Sequence, residues 1–137
     1  MYKLKTERFL LELRPELHQN DLPYPVNCSL GVSVSSYGFS AETIMDINAS
    51  RLGEFAVCLN ELYETLKGSA KLEEVYGTES FLEFTAVSRG YIRVRGTLHS
   101  GTDYGYTQEL NFENEFDQTY LRSFAQDLLA DYGRYAE

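Results

Sequence analysis

The stretch FLEFTAVSRGYIRVRGTLH, residues 81–99, decides the fold. On both sides of Ser88-Arg89-Gly90, apolar positions alternate with polar ones. That period of two is the side-chain repeat of a strand with one buried face and one wet face. A three-residue loop with Gly last closes the strands into a hairpin and sets Val87 opposite Tyr91, Thr85 opposite Arg93 and Glu83 opposite Arg95. Facing residues share one side of a sheet, so Glu83, Tyr91, Arg93 and Arg95 gather on one face. Leu82, Phe84, Ala86, Ile92, Val94 and Leu98 gather on the other. One face is made for a core and the other for water or a partner.

Working outward, a second hairpin follows downstream, with a strand over residues 104–113 and a loop around Ser100-Gly101-Thr102. An odd-numbered loop keeps the faces matched, placing Glu109 opposite Arg93 or Arg95 and putting Leu110 and Phe112 on the core side. Upstream, Val26, Cys28, Leu30, Val32 and Val34 alternate with Asn27, Ser29, Gly31, Ser33 and Ser35. Tyr37-Gly38 turns that strand into a returning one over residues 39–47. A shorter first strand, residues 9–13, stops at Arg14-Pro15, and residues 16–25 read as a surface loop rich in breakers.

Between the hairpins the period changes. Leu52, Phe55, Ala56, Leu59, Leu62, Tyr63 and Leu66 fall on one stripe of a helix that Asn48 or Ser50 can cap and Gly68 can end. A second helix starts at Asp117 and carries Leu121, Phe124, Ala125, Leu128, Leu129 and Tyr132. The expectation is α+β: a curved antiparallel β-sheet meander with two amphipathic helices packed on one face, in a single domain spanning residues 1–137.

The 137 residues include 21 Asp and Glu against 12 Lys and Arg, a formal charge of -9, with 43% apolar residues and 19 Phe and Tyr. A chain of this size hides roughly 70% of its unfolded surface, so neither a disulfide nor a metal is needed to hold it. The negative charge repels phosphate backbones, which disfavours direct nucleic-acid binding and suits a basic protein partner. No apolar run is long enough for a secretory signal or a membrane span. Cys28 and Cys58 lack metal-site or redox spacing and read as reduced core residues of a cytoplasmic protein.

The residues that carry chemistry elsewhere are sparse here. His18 and His99 have no spacing that would make a catalytic pair or a metal site, no GxSxG elbow occurs, and glycines fall singly at turns. Asn111, Glu113, Glu115 and Asp117 are spaced by two, yet they lack the loop of a calcium site. No catalytic residue, metal ligand or cofactor is assigned. Attention goes instead to residues 96–121, which hold the acids Asp103, Glu109, Glu113, Glu115 and Asp117 without a single Lys or Arg. Two partner-binding surfaces follow: this acidic stretch, through Asp103, Glu109, Glu113 and Glu115, and the hairpin face of Glu83, Tyr91, Arg93 and Arg95, since aromatics and Arg are enriched at interface centres. The competing readings are a small-molecule or enzymatic pocket at the sheet edge, using Tyr104, Tyr106 and nearby carboxylates, and a structural adaptor.

The order of motifs resembles the WapI-type immunity proteins, which neutralise domains of bacterial polymorphic or contact-dependent toxins. The resemblance runs through the strand at Phe9-Leu10-Leu11-Glu12-Leu13, the Gly-Phe-Ser-Ala segment at 38–41 and the helix over 52–66. It continues through Gly68, Ala70 and Leu72, then Gly90, Ile92, Val94 and Gly96, and ends with Asp-Gln-Thr-x-Leu at 117–121. It implies a non-enzymatic cytoplasmic inhibitor that binds a cognate toxin domain, such as a basic nuclease, and blocks it. No site residue transfers with these motifs.

Overall fold

Each half of the chain lays down strands and then a helix. In the computed structural model, which describes residues 1–77 and 79–136, strands β1 (Tyr2–Lys5), β2 (Phe9–Leu17), β3 (Cys28–Ser36) and β4 (Phe39–Ile47) form one antiparallel sheet in that order. Helix α1 (Ala49–Thr65) follows. Strands β5 (Ser69–Glu73), β6 (Phe81–Ala86), β7 (Tyr91–Gly101) and β8 (Thr107–Asp117) then form a second sheet in order, and α2 (Arg122–Tyr132) closes the chain. The fold is α+β, with the meander divided between two four-stranded sheets rather than carried through one.

The alternation that predicts the strands decides what each buries. Leu11, Leu13, Leu30, Val32, Met45 and Ile47 on the first sheet, and Leu72, Leu82, Phe84, Ile92, Val94 and Leu98 on the second, are all buried in one continuous core. Each such side chain contributes about 1.5–3 kcal/mol when fully removed from water. Phe84 lies at the centre, with ring centroids 5.9 Å from Phe55 of α1, 6.4 Å from Phe116 of β8 and 6.3 Å from Phe124 of α2. Gly96 shows how tightly this face is packed: a β-carbon there would strike the Phe81 carbonyl oxygen and stand 2.8 Å from the Phe112 ring.

Pro15 does not end β2, which runs to Leu17 with Pro15 opposite Leu30. The reason lies in the strand pairing on its two sides. His18 N donates to Asn27 O at 2.8 Å, and hydrogen-bonding direction alternates along an antiparallel strand, so the amide Pro15 lacks would face the β1 side. There β1 pairs only with Leu10 to Leu13, and no ladder bond is lost. Strands β1 and β5 have no counterpart among the expected strands. β5 carries the alternation in Ala70 and Leu72, both buried, but five residues are a short signal.

Helix α1 begins where Asn48 caps it, the Asn48 side chain accepting from Ser50 N at 2.8 Å. Its left-handed end is Leu66 (φ 56°), whose N–H donates to Leu62 O at 2.8 Å, and Gly68 (φ 87°) turns the chain only afterwards. Its stripe of Leu52, Phe55, Ala56, Leu59 and Leu62 is buried, whereas Tyr63 and Leu66 are only half-buried. Asp117 caps a 3-10 turn (Gln118–Tyr120) that precedes α2, and Leu129 falls outside the buried stripe, 38% exposed. Asn60 joins the helices, its side-chain amide donating to Ala56 O at 2.8 Å and to Ala125 O of α2 at 2.7 Å.

The helices also stitch the halves together. α1 packs on β5 and β6, and α2 reaches back to β1, where the Tyr2 hydroxyl donates to Asp131 and the Tyr2 and Tyr132 rings meet edge-on at 5.9 Å. Burial, reinforced by Asp131, pushes the Tyr2 phenol well above its ordinary range. Between the sheets, Asn114 Nδ2 donates to Ser36 Oγ at 2.9 Å, Thr43 Oγ1 donates to His99 O at 3.0 Å, and the Phe9 and Phe112 rings lie 5.7 Å apart.

Candidate functional site

The register of the second sheet places its odd-numbered residues on the face turned away from the core. One row across it reads Lys71, Glu83, Arg95, Glu113, and the next reads Ser69, Thr85, Arg93, Glu115. The expected pairs Thr85–Arg93 and Glu83–Arg95 are both present. Both helices place their buried stripes on the opposite side, and this face is mostly half-buried along its middle strands and exposed along β8.

The two surfaces expected separately are therefore one. Glu83, Tyr91, Arg93, Arg95, Glu109, Glu113 and Glu115 share it, with Tyr91 at one end opposite Asp117. Asp103 stands beyond the other end, in the exposed turn that joins β7 to β8. Glu109 is not opposite either arginine. It pairs with His99, 3.4 Å from its Nδ1, while Glu113 pairs with Arg95 and Glu115 with Arg93. The turn spans residues 102–106 and β7 continues to Gly101, so the loop is longer than expected by an even number of residues. The faces stay matched and only the partners shift.

Charge on this face is patterned. Arg95 Nε donates to Glu83 Oε1 at 2.7 Å, and the Lys71 ammonium and Arg95 guanidinium lie 5.1 and 5.3 Å from the centroid of the Phe81 ring. Arg93 is held more loosely, its Nε 3.9 Å from Glu113 Oε2. Exposed pairs of this kind contribute about 0.2–1 kcal/mol each. They neutralise the middle of the sheet and leave its border acidic. The face carries Glu73, Glu83, Glu109, Glu113, Glu115 and Asp117 against Lys71, Arg93 and Arg95, and β8 itself contributes four of the acids and none of the cations.

Two hollows flank β8. One of about 310 Å³, bounded by Phe81, Arg95, Thr97, Asn111 and Glu113, opens on the charged face. The other, about 350 Å³, lies between Leu110–Glu113 and the β3–β4 turn, where Tyr37 and Phe39 stand 64% and 68% exposed. The sequence pattern left Tyr37 and Phe39 out of the site. Only an aromatic pair bracketing a glycine turn marks them.

Other candidate chemistry is dispersed. His18 Nε2 bonds Ser29 Oγ at 2.8 Å on the first sheet, far along the chain from the His99–Glu109 pair on the second. No three His, Cys, Asp or Glu side chains converge to hold a metal among the described residues. Cys28 is buried but Cys58 is only partly so, because it lies on the flank of the α1 stripe. Burial pushes both thiols up, away from the reactive thiolate. Tyr104 and Tyr106 are 88% and 70% exposed on the β7–β8 turn. No helix among the described residues is long and apolar enough to cross a membrane.

The model of the immunity protein WapI-like family matches residues 5–136. No significant match is found among curated proteins.

Proposed function

We propose, for a chain that belongs to the WapI-like immunity family, that it neutralises a cognate toxin domain in the cytoplasm by stoichiometric binding and without catalysis. The contact surface in this reading is the outward face of the second sheet, centred on Glu109, Glu113 and Glu115 and bordered by Glu83, Tyr91, Arg93, Arg95 and Asp103. The observation that carries it is the outward, acid-bordered face, six carboxylates against three cations, on a sheet whose other side holds the core.

The electrostatics point to the kind of partner. Clustered like charge at one border raises the encounter rate with an oppositely charged surface. A toxin that handles nucleic acid must carry a basic site, and occupying that site with carboxylates excludes its substrate. Tyr91 and the arginines supply residue types that anchor interfaces.

The test is co-expression with the C-terminal domain of a large secreted protein encoded immediately upstream of this chain. Rescue of growth and a one-to-one complex on gel filtration are expected. Cells that still die, with both proteins eluting separately, would sink the immunity reading.

A further inference from the structure

Strand β8 is an edge, and its free side carries a specific pattern. Thr102 N donates to Tyr106 O at 2.8 Å, one step beyond the pair Gly101–Thr107. Direction alternates along an antiparallel ladder, so the even-numbered amides of β8 point at β7 and the odd-numbered ones point outward. No backbone hydrogen bond outside the ladder, among the described residues, reaches Glu109, Asn111, Glu113 or Glu115. All four are exposed. At 11 residues β8 is also longer than the other sheet borders, β1, β4 and β5, which have 4, 9 and 5. The β4 border is partly occupied, because Asp46 O accepts from Val75 N at 3.1 Å.

Three of these four residues with free amides, Glu109, Glu113 and Glu115, carry acidic side chains on the outward face. That coincidence selects the occupant. A second copy of β8 laid against the first would set Glu109, Glu113 and Glu115 beside the same acids, and like charges on facing strands are destabilising. A strand with Lys or Arg at alternate positions is attracted by those acids while it completes the ladder. Its remaining side chains would point to the other side of β8, where the hollow of about 350 Å³ between Leu110 and Phe39 accepts an apolar group.

We propose that β8 takes a ninth strand from the toxin, an extended segment alternating basic and apolar residues, which pairs with the odd-numbered residues from Glu109 to Glu115. This rests on the immunity reading above and specifies how the same surface is used. Main-chain bonds would supply affinity and the alternate side chains specificity, as in other cases of strand addition.

Amide exchange by NMR on the labelled chain, free and bound to the upstream-encoded C-terminal domain, tests it. In the free protein Asn111, Glu113 and Glu115 should exchange fast while Phe112, Asn114 and Phe116 are protected; in the complex both sets should be slow. Protection of the odd set before binding would mean the edge is already taken and overturns the inference. A complex in which the odd set stays fast overturns it and leaves the immunity reading standing. Failure to form any complex overturns both. Glu113→Pro, which removes an edge donor but no ladder bond, should keep the fold and weaken the complex about tenfold or more. Glu113→Gln, which keeps the donor, should weaken it less. Equal affinity for Glu113→Pro and the parent chain would also overturn the inference.

Discussion

Strands β3 and β7 both run inside a four-stranded meander and both send alternate residues into the core, yet their outward residues have little in common. On β3 these are Ser29, Gly31, Ser33 and Ser35, and on β7 they are Tyr91, Arg93, Arg95, Thr97 and His99. The first sheet consumes its own polarity. Arg14 folds down over Gly31, where a β-carbon would come within 3.3 Å of its guanidinium, and donates to Ser33 Oγ at 3.1 Å. The second sheet spends only part of its charge on internal pairs and leaves the acids of β8 unbalanced. A meander needs one face for its core and leaves the other free to vary, and here the two halves have used that freedom differently.

The comparison breaks first if the inner faces are not equivalent. Phe84→Ala on the second sheet should cost about 3–5 kcal/mol and Leu13→Ala on the first about 2–5 kcal/mol, because both side chains are fully buried and would leave cavities. Urea titration followed by circular dichroism measures both. If residues 1–137 fold as the single domain proposed, each variant unfolds in one transition shifted to lower denaturant. A variant that melts its own sheet while the other persists would divide the chain in two.

The outer faces should differ as sharply as the inner ones agree. Reversing Glu109, Glu113 and Glu115 to Lys should slow association with a basic toxin domain about tenfold or more at low salt and weaken the salt dependence of the rate. The matched reversal of Glu12, Glu16 and Glu42 on the outward face of the first sheet should leave the rate nearly unchanged. Stopped-flow association at two ionic strengths reads both, and an equal effect from the two sheets would remove the assignment of the partner to β8.

What the sequence displays of this difference follows from where the signal is local. The 81–99 hairpin is legible because its three-residue turn fixes the register by itself, and Glu83–Arg95 and Thr85–Arg93 fall where parity puts them. The next hairpin is legible in face but not in partner, since Ser100-Gly101-Thr102 looks like a turn while the chain continues in ladder to Gly101. Pro15 reads as a stop because its missing donor costs a bond in most strands; that it faces an open edge depends on β1 pairing with β2 only as far as Leu13, a tertiary detail. The division into two sheets and the hollow at Phe39 are likewise tertiary. No periodicity encodes which borders remain free.

Each half also passes from its last strand toward its helix through a side-chain cap, and the two caps set up a smaller contrast. Asn48 accepts from Ser50 N at 2.8 Å and donates to Pro25 O at 2.9 Å. Asn48→Ala should cost about 1 kcal/mol of stability. Because an amide does not titrate, that cost should be the same at acid and neutral pH. Thermal melts of parent and variant at the two conditions check it, and a pH-dependent gap would mean the loss acts through something other than the cap.

Asp117 makes the same kind of cap with a charge, accepting from Thr119 N at 2.9 Å. That backbone bond, helped by the Thr119 hydroxyl, holds its carboxyl below the usual range. The sign follows from linkage: a carboxyl whose folded pKa lies below its unfolded value, about 3.9, contributes stability above that value and loses it as pH falls through the folded one. Asp117→Ala should therefore melt lower than the parent near neutral pH, and the gap should close on acidification below about pH 3.9. This is the smallest of the expected effects, since the carboxylate is solvent-exposed and screened. Melts of the Asp117→Ala and Asn48→Ala pair across the same pH series separate the two caps. If the Asp117 gap stays constant into acid while the carboxyl is shown by NMR to have titrated, the charge plays no part in the cap and the two halves enter their helices in the same way.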